Sequence, residues 1–111
     1  MELQQVAADF AVRPQITPSE VAGIAAAGFK GIVNARPDGE APDQPPSKDI
    51  EAEAKRHGLA YCHIPVVPGA MSKEQARAFA KALAAAGGPV LGFCRTGTRA
   101  ANLWKLAHEI A

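Results

Sequence analysis

The segment Gly92-Phe93-Cys94-Arg95-Thr96-Gly97-Thr98-Arg99-Ala100-Ala101 places a thiol, a glycine and two arginines between an apolar run and a stretch of helical periodicity. A thiol reacts as its thiolate, a form favoured by nearby positive charge and by converging N–H groups. Cys94 lies where a strand should end and a helix begin, so the partial positive charge of a helix N-terminus falls beside it. Gly97 lets the backbone turn sharply, and successive N–H groups in such a turn converge on an anion. Arg99 adds a planar fork that matches two oxygens of a tetrahedral oxyanion. Cys94 and Arg99 are therefore candidate catalytic residues, and Arg95, Thr96, Gly97 and Thr98 candidate anion-binding residues. The competing reading is an inert cysteine that closes a buried strand beside solvated arginines. The strand–glycine–helix context favours the reactive one.

The elements that must position this loop are legible from capping signals and periodicity. Thr17-Pro18-Ser19-Glu20 reads as a helix start with proline in the first turn and a reciprocal glutamate. Val21 and Ile24 follow on one face, and Gly28 can close the helix. Ser47 is expected to cap a second helix reaching Gly58. Ser72-Lys73-Glu74-Gln75 opens a third, with Ala76, Phe79, Ala80 and Leu83 at helical spacing and Gly87-Gly88-Pro89 as its stop. A fourth begins near Thr98 and carries Leu103, Ala107 and Ile110 on one side.

Between the helices lie the apolar runs 29–34, 59–66 and 89–94. They do not alternate with polar residues, as expected of strands covered on both faces. Alternating strands and helices predict a three-layer α/β/α domain spanning residues 1–111, with a central, mostly parallel sheet. Residues 1–16 are expected to add an edge hairpin, with strands at Leu3–Val6 and Phe10–Val12. The aperiodic segment 35–46, ARPDGEAPDQPP, follows a strand's carboxyl end, where open α/β sheets carry their ligand sites. It makes Arg36 and Asp38 further candidates for the anion site, although Asp38-Gly39 is also a turn signal.

Composition narrows the partners. One domain fits 111 residues, and a net charge of +1 offers no electrostatic basis for binding nucleic acid or an anionic membrane. No signal peptide or membrane-spanning run is visible, so a cytoplasmic location is expected. His57, His63 and His108 have no zinc-like spacing, and neither a metal nor a cofactor is expected. Cys62 reads as a packed core cysteine or a resolving thiol, the first being favoured. His63 reads as a structural, hydrogen-bonded histidine, and Trp104 as helix packing.

Two known loop designs resemble the Cys94 segment. Tyrosine and dual-specificity phosphatases use Cys-x5-Arg; single-domain rhodaneses commonly use Cys-x4-Arg, the spacing from Cys94 to Arg99. The stretches GIVNARPDGEAPDQP, YCHIPVVPGAMSKEQ and PVLGFCRTGTRAANLW resemble, in order, the beta-lactamase-hydrolase-like, phosphatase-like family known as DUF442. The resemblance implies the cysteine-dependent phosphatase fold and a setting in sulfide and persulfide metabolism. A persulfide dioxygenase or a sulfide:quinone oxidoreductase would then be a partner. It also implies that Cys94 is the nucleophile, Arg99 the loop arginine and Gly97 the turn glycine. Arg36, Asp38, Gly39 and Glu40 match the family's RPDGE loop. Two departures stand out: Phe93 replaces the histidine of the phosphatase signature, and Ala100 replaces a common serine, leaving Thr96 or Thr98 to supply a hydroxyl.

The choice of reaction turns on proton supply. A phosphatase must protonate an alkoxide or phenoxide leaving group, normally from an aspartic acid on a nearby loop. No aspartate follows Asp49, and Glu74, inside a capping box, is the sole carboxylate between His63 and Cys94. Asp38 or Glu40 would be an unusual source. Transfer of sulfane sulfur from thiosulfate or a glutathione persulfide to a thiol or cyanide has weaker demands, because sulfite or a thiolate leaves unprotonated. The expectation is a sulfurtransferase acting through a Cys94 persulfide. A cysteine-dependent phosphatase and a non-catalytic persulfide carrier or anion-binding module are the alternatives.

Overall fold

The computed structural model describes residues 3–111. Five strands form one sheet: β1 (Gln4–Ala7), β2 (Phe10–Arg13), β3 (Gly31–Asn34), β4 (Ala60–His63) and β5 (Val90–Phe93). A 3-10 turn at Pro18–Glu20 leads into α1 (Val21–Ala26); α2 (Ser47–Arg56), α3 (Lys73–Ala86) and α4 (Thr98–Glu109) complete the chain. The spatial order is β1-β2-β5-β3-β4. β1 and β2 are antiparallel, and β2, β5, β3 and β4 run parallel.

Why the strand sequences lack alternation is clear from their neighbours. Side chains leave a strand on alternate faces. Phe10, Val12, Val33 and Val90 point into a core shared with Ala76 and Phe79 of α3 and with Ala100, Leu103 and Ala107 of α4. Ala11, Ile32, Leu91 and Phe93 point the other way, against Val21 and Ile24 of α1 and Ile50 and Ala54 of α2. The sheet is thus covered twice, which is the expected three-layer domain. Phe10 and Phe79 meet edge-to-face with centroids 5.1 Å apart, a favoured aromatic geometry. Gly92 allows a close approach of the Phe10 ring and α4. A β-carbon there would lie 2.7 Å from the Phe10 ring and 3.2 Å from Ala100.

Three local expectations need correcting. The N-terminal hairpin is not wholly at the edge: β1 is the edge strand, while β2 is interior and pairs with β5. Phe10, Ala11 and Val12 are buried accordingly. Met1 and Glu2 of that hairpin lie outside the described residues. Ser47 does not cap α2 with its hydroxyl, which bonds instead to the Tyr61 hydroxyl at 2.7 Å. The cap comes from across the loop, where the Asp38 carboxylate accepts the Ser47 N–H at 2.8 Å. On α3, Ala80 is exposed, and Ala76 and Phe79 carry the burial. The helix starts at Glu20 and Gln75 are as expected, with each side chain accepting the backbone N–H of the residue before its helix. No helix among the described residues is long and apolar enough to cross a membrane.

Candidate active site

Parallel register brings one residue from each of four strands into a single row: Arg13, Phe93, Asn34 and His63. Each is the last residue of its strand, so the loops that follow begin at one edge. Cys94 is the first residue beyond that edge, between the end of β5 and the start of α4.

Cys94 is completely covered, at 0% exposure. Its sulfur accepts the Gly97 N–H at 3.0 Å. This bond requires the chain to fold back within three residues, and Gly97 does so with φ +97°, a conformation that side chains of L-residues disfavour. α4 starts immediately afterwards at Thr98, and the first-turn amides of a helix have no intrahelical acceptor. The loop therefore sets one backbone donor, the Gly97 N–H, on the sulfur and a helix N-terminus beside it. The threonine hydroxyls do not take the place of the missing serine at Ala100. Thr96 Oγ1 donates to Thr98 Oγ1 at 3.2 Å and accepts the Thr98 N–H at 3.4 Å, which braces the turn.

Arg99 reaches back over the cradle. Its NH1 group donates to Glu40 Oε2 at 2.7 Å and to the Val66 carbonyl at 2.9 Å. Its NH2 group donates to Glu40 Oε1 at 2.9 Å. Glu40 chiefly, with the Cys94 sulfur adding to it, raises the arginine's pKa. Glu40 is also held by Arg36, whose Nε donates to Oε1 at 2.9 Å. The two guanidiniums, Arg99's hydrogen bond first, lower the Glu40 carboxyl to about 2 despite the opposing effect of desolvation. Arg36 itself is 4% exposed. Its NH1 donates to Gln15 Oε1 at 3.0 Å, and its carbonyl meets His63 Nε2 at 2.8 Å. Its N–H donates to Asn34 Oδ1 at 2.9 Å. Gln15 also donates its backbone N–H to the Arg95 carbonyl at 3.3 Å. One hydrogen-bonded chain thus joins the ends of β2, β3, β4 and β5.

The residues singled out in the sequence separate into groups. Cys94, Gly97 and Arg99 converge, with Arg36 behind Glu40. Arg95, Thr96 and Thr98 are exposed on the mouth of the loop. Asp38 faces α2 rather than the sulfur. Glu40, in sequence a part of the RPDGE stretch and an unusual proton source, is the partner of Arg99. The signal for it is its position four residues after Arg36, but a turn separates the two and nothing local points to Arg99, 59 residues away. His63 has the structural role expected of it.

Cys62 is set apart from this chemistry. It pairs with Val33, which pairs with Gly92, so it lies two strands away and two residues below Cys94. Adjacent strands are spaced about 4.8 Å, which puts Cys62 beyond the ~7 Å Cα limit for a disulfide. It lines an apolar cavity of about 360 Å³ with Ala78, Ala82 and Val90. Burial pushes its thiol pKa up.

A family model for the phosphatase-like domain of beta-lactamase hydrolase-like proteins matches residues 2–111. A beta-lactamase hydrolase-like protein of Xylella fastidiosa is 36% identical over 110 residues, 99% of this chain and 26% of the relative. The chain thus spans about a quarter of the length of that relative. Among solved structures, a candidate phosphatase from Neisseria meningitidis is 32% identical with TM-score 0.84, covering 94% of this chain and 74% of that one. A candidate phosphatase of the DUF442 group from Shewanella putrefaciens is 26% identical with TM-score 0.78, covering 96% and 66%. With a family match over nearly its whole length, the chain belongs to the phosphatase-like domain family of beta-lactamase hydrolase-like proteins.

Proposed function

We propose that this chain is a sulfurtransferase that carries sulfane sulfur on Cys94. The observation behind this reading is the state of Glu40. The carboxylate in contact with the loop arginine is held ionised by two guanidiniums, with a pKa of about 2, so it is a poor proton donor at neutral pH. Asp38 is committed to α2, and the chain has no aspartate after Asp49. The cradle is thus suited to leaving groups that depart without a proton.

In the first step the Cys94 thiolate attacks the outer sulfur of thiosulfate, or of a glutathione persulfide. The donor's S–S bond breaks, and sulfite or glutathione thiolate leaves with the bonding pair. The Gly97 N–H and the α4 amides stabilise the sulfur anion. In the second step an acceptor thiolate attacks the outer sulfur of the Cys94 persulfide and releases Cys94 as thiolate. Because Cys62 cannot reach Cys94, the acceptor comes from outside the chain. Intact-mass measurement after incubation with thiosulfate or glutathione persulfide should show one added sulfur, absent in Cys94→Ser. No adduct with either donor would sink the proposal.

A phosphatase is the second reading, and the membership in a phosphatase-like family supports it. Cys94-dependent turnover of p-nitrophenyl phosphate, reduced in Glu40→Gln, would favour it, since Glu40 would then have to release its arginines and act as the acid.

A further inference from the structure

The guanidinium of Arg99 has two usable edges, and the contacts assign them different tasks. Of its five N–H groups, both on NH1 are used, by Glu40 Oε2 and the Val66 carbonyl. One on NH2 is used by Glu40 Oε1. The edge formed by Nε and the second NH2 hydrogen has no oxygen acceptor among the described residues, and the guanidinium is near enough to the Cys94 sulfur for that sulfur to help raise its pKa. A two-point carboxylate grip fixes a planar group in angle as well as in distance.

We propose that Glu40 is a positioning and specificity-determining residue. By gripping the outer edge of Arg99 it holds the inner edge beside Cys94, ready for two oxygens borne on the atom next to the transferred sulfur. This rests on the sulfur-transfer reading. Arg36, itself held by Gln15, steadies Glu40 from behind, and the Val66 carbonyl fixes the second NH1 hydrogen. A donor with an oxyanion beside its sulfur then gains two charge-assisted hydrogen bonds. A donor whose sulfur is borne on an alkyl thiol gains none there and depends only on the backbone cradle.

The test compares thiosulfate with glutathione persulfide in wild type, Glu40→Gln and Glu40→Asp. Misplacing a binding group by about 1 Å costs on the order of 100-fold. Glu40→Gln should therefore lose about that much in kcat/KM with thiosulfate, while its rate with glutathione persulfide stays within about threefold. Retained persulfide turnover also certifies that the variant is folded. Glu40→Asp should restore part of the thiosulfate rate, and it decides the matter if Glu40→Gln does not fold. Equal losses with both donors, or an unchanged donor ratio in both variants, would overturn the proposal. If wild type accepts sulfur from neither donor, the function reading fails on its own. Protection of Cys94 from iodoacetamide by sulfate then reads the role of Glu40 separately: protection weakened in Glu40→Gln supports it, and equal protection refutes it.

Discussion

The two cysteines of this chain occupy the same face of the same sheet and have opposite surroundings. Cys94 is fully covered and belongs to the core packed against α3 and α4, yet its sulfur accepts a backbone N–H and lies near a helix N-terminus and the Arg99 guanidinium. Cys62 is half-exposed and lined by alanines and valines. Exposure alone would name Cys62 as the reactive thiol. Thiolate chemistry depends on what stabilises negative charge, and alkyl groups cannot do that. A level two residues higher in the sheet, just beyond the end of β5 rather than within β4, makes the difference.

The sharpest way to break this comparison is to exchange the thiols one at a time. Cys94→Ser should abolish the sulfur adduct altogether, whereas Cys62→Ser should retain it at full stoichiometry by intact mass. An adduct lost in Cys62→Ser, with the fold intact by circular dichroism, would show that the two sites cooperate. Gly97→Ala comes next. A β-carbon at φ +97° is strained and would touch the Arg13 carbonyl group at 3.4 Å. The expected cost is about 1–2 kcal/mol of stability, with a loss of transfer on the order of 100-fold as the cradle N–H moves off the sulfur. Gly92→Ala probes the packing beneath. Its clash with Phe10 should cost about 1–3 kcal/mol in denaturant unfolding without removing any cradle donor.

A pH titration separates the cradle from the cleft in a gentler way. The Glu40 carboxyl is depressed from 4.5 to about 2 by Arg99 and Arg36. A depressed carboxyl contributes stability that is complete above its unfolded value and fades as pH falls to its folded value. The stability difference between wild type and Glu40→Gln should therefore level off above about pH 4.5, shrink steadily below it and be lost as pH falls through about 2. A difference that does not shrink between about pH 4.5 and 2 would mean that the ion pairs contribute little to it. The smallest effect is expected of Cys62→Ala, which removes one sulfur from an open apolar wall and should change stability by less than about 1 kcal/mol.

Much of this architecture could be read along the chain because its causes are local. Ser72 and Gln75 announce α3 through their own reciprocal bonds, and the unbroken apolar runs predict strands with helices on both faces. The Cys94 loop was equally legible, since strand end, glycine and helix start are consecutive. The roles of Asp38 and Ser47 were not. A helix cap supplied from nine residues away leaves no spacing rule to follow, and Ser47 looks like a sufficient cap by itself. The place of β2 inside the sheet was hidden for the same reason. Its partner, β5, lies 80 residues further on at the paired positions Phe10 and Val90.

Sequence alone points to a candidate covalent centre: a thiol ahead of a turn glycine and a helix start, with an arginine five residues on. That much follows from short-range geometry, which a few φ and ψ angles and a helix start dictate. What the arginine does there was decided by tertiary structure. Parallel register sets Arg13, Phe93, Asn34 and His63 in one row, and the loops that follow that row bring Glu40 and the Val66 carbonyl to Arg99. Electrostatic pairing depends on distance in space, and the folded sheet sets that distance.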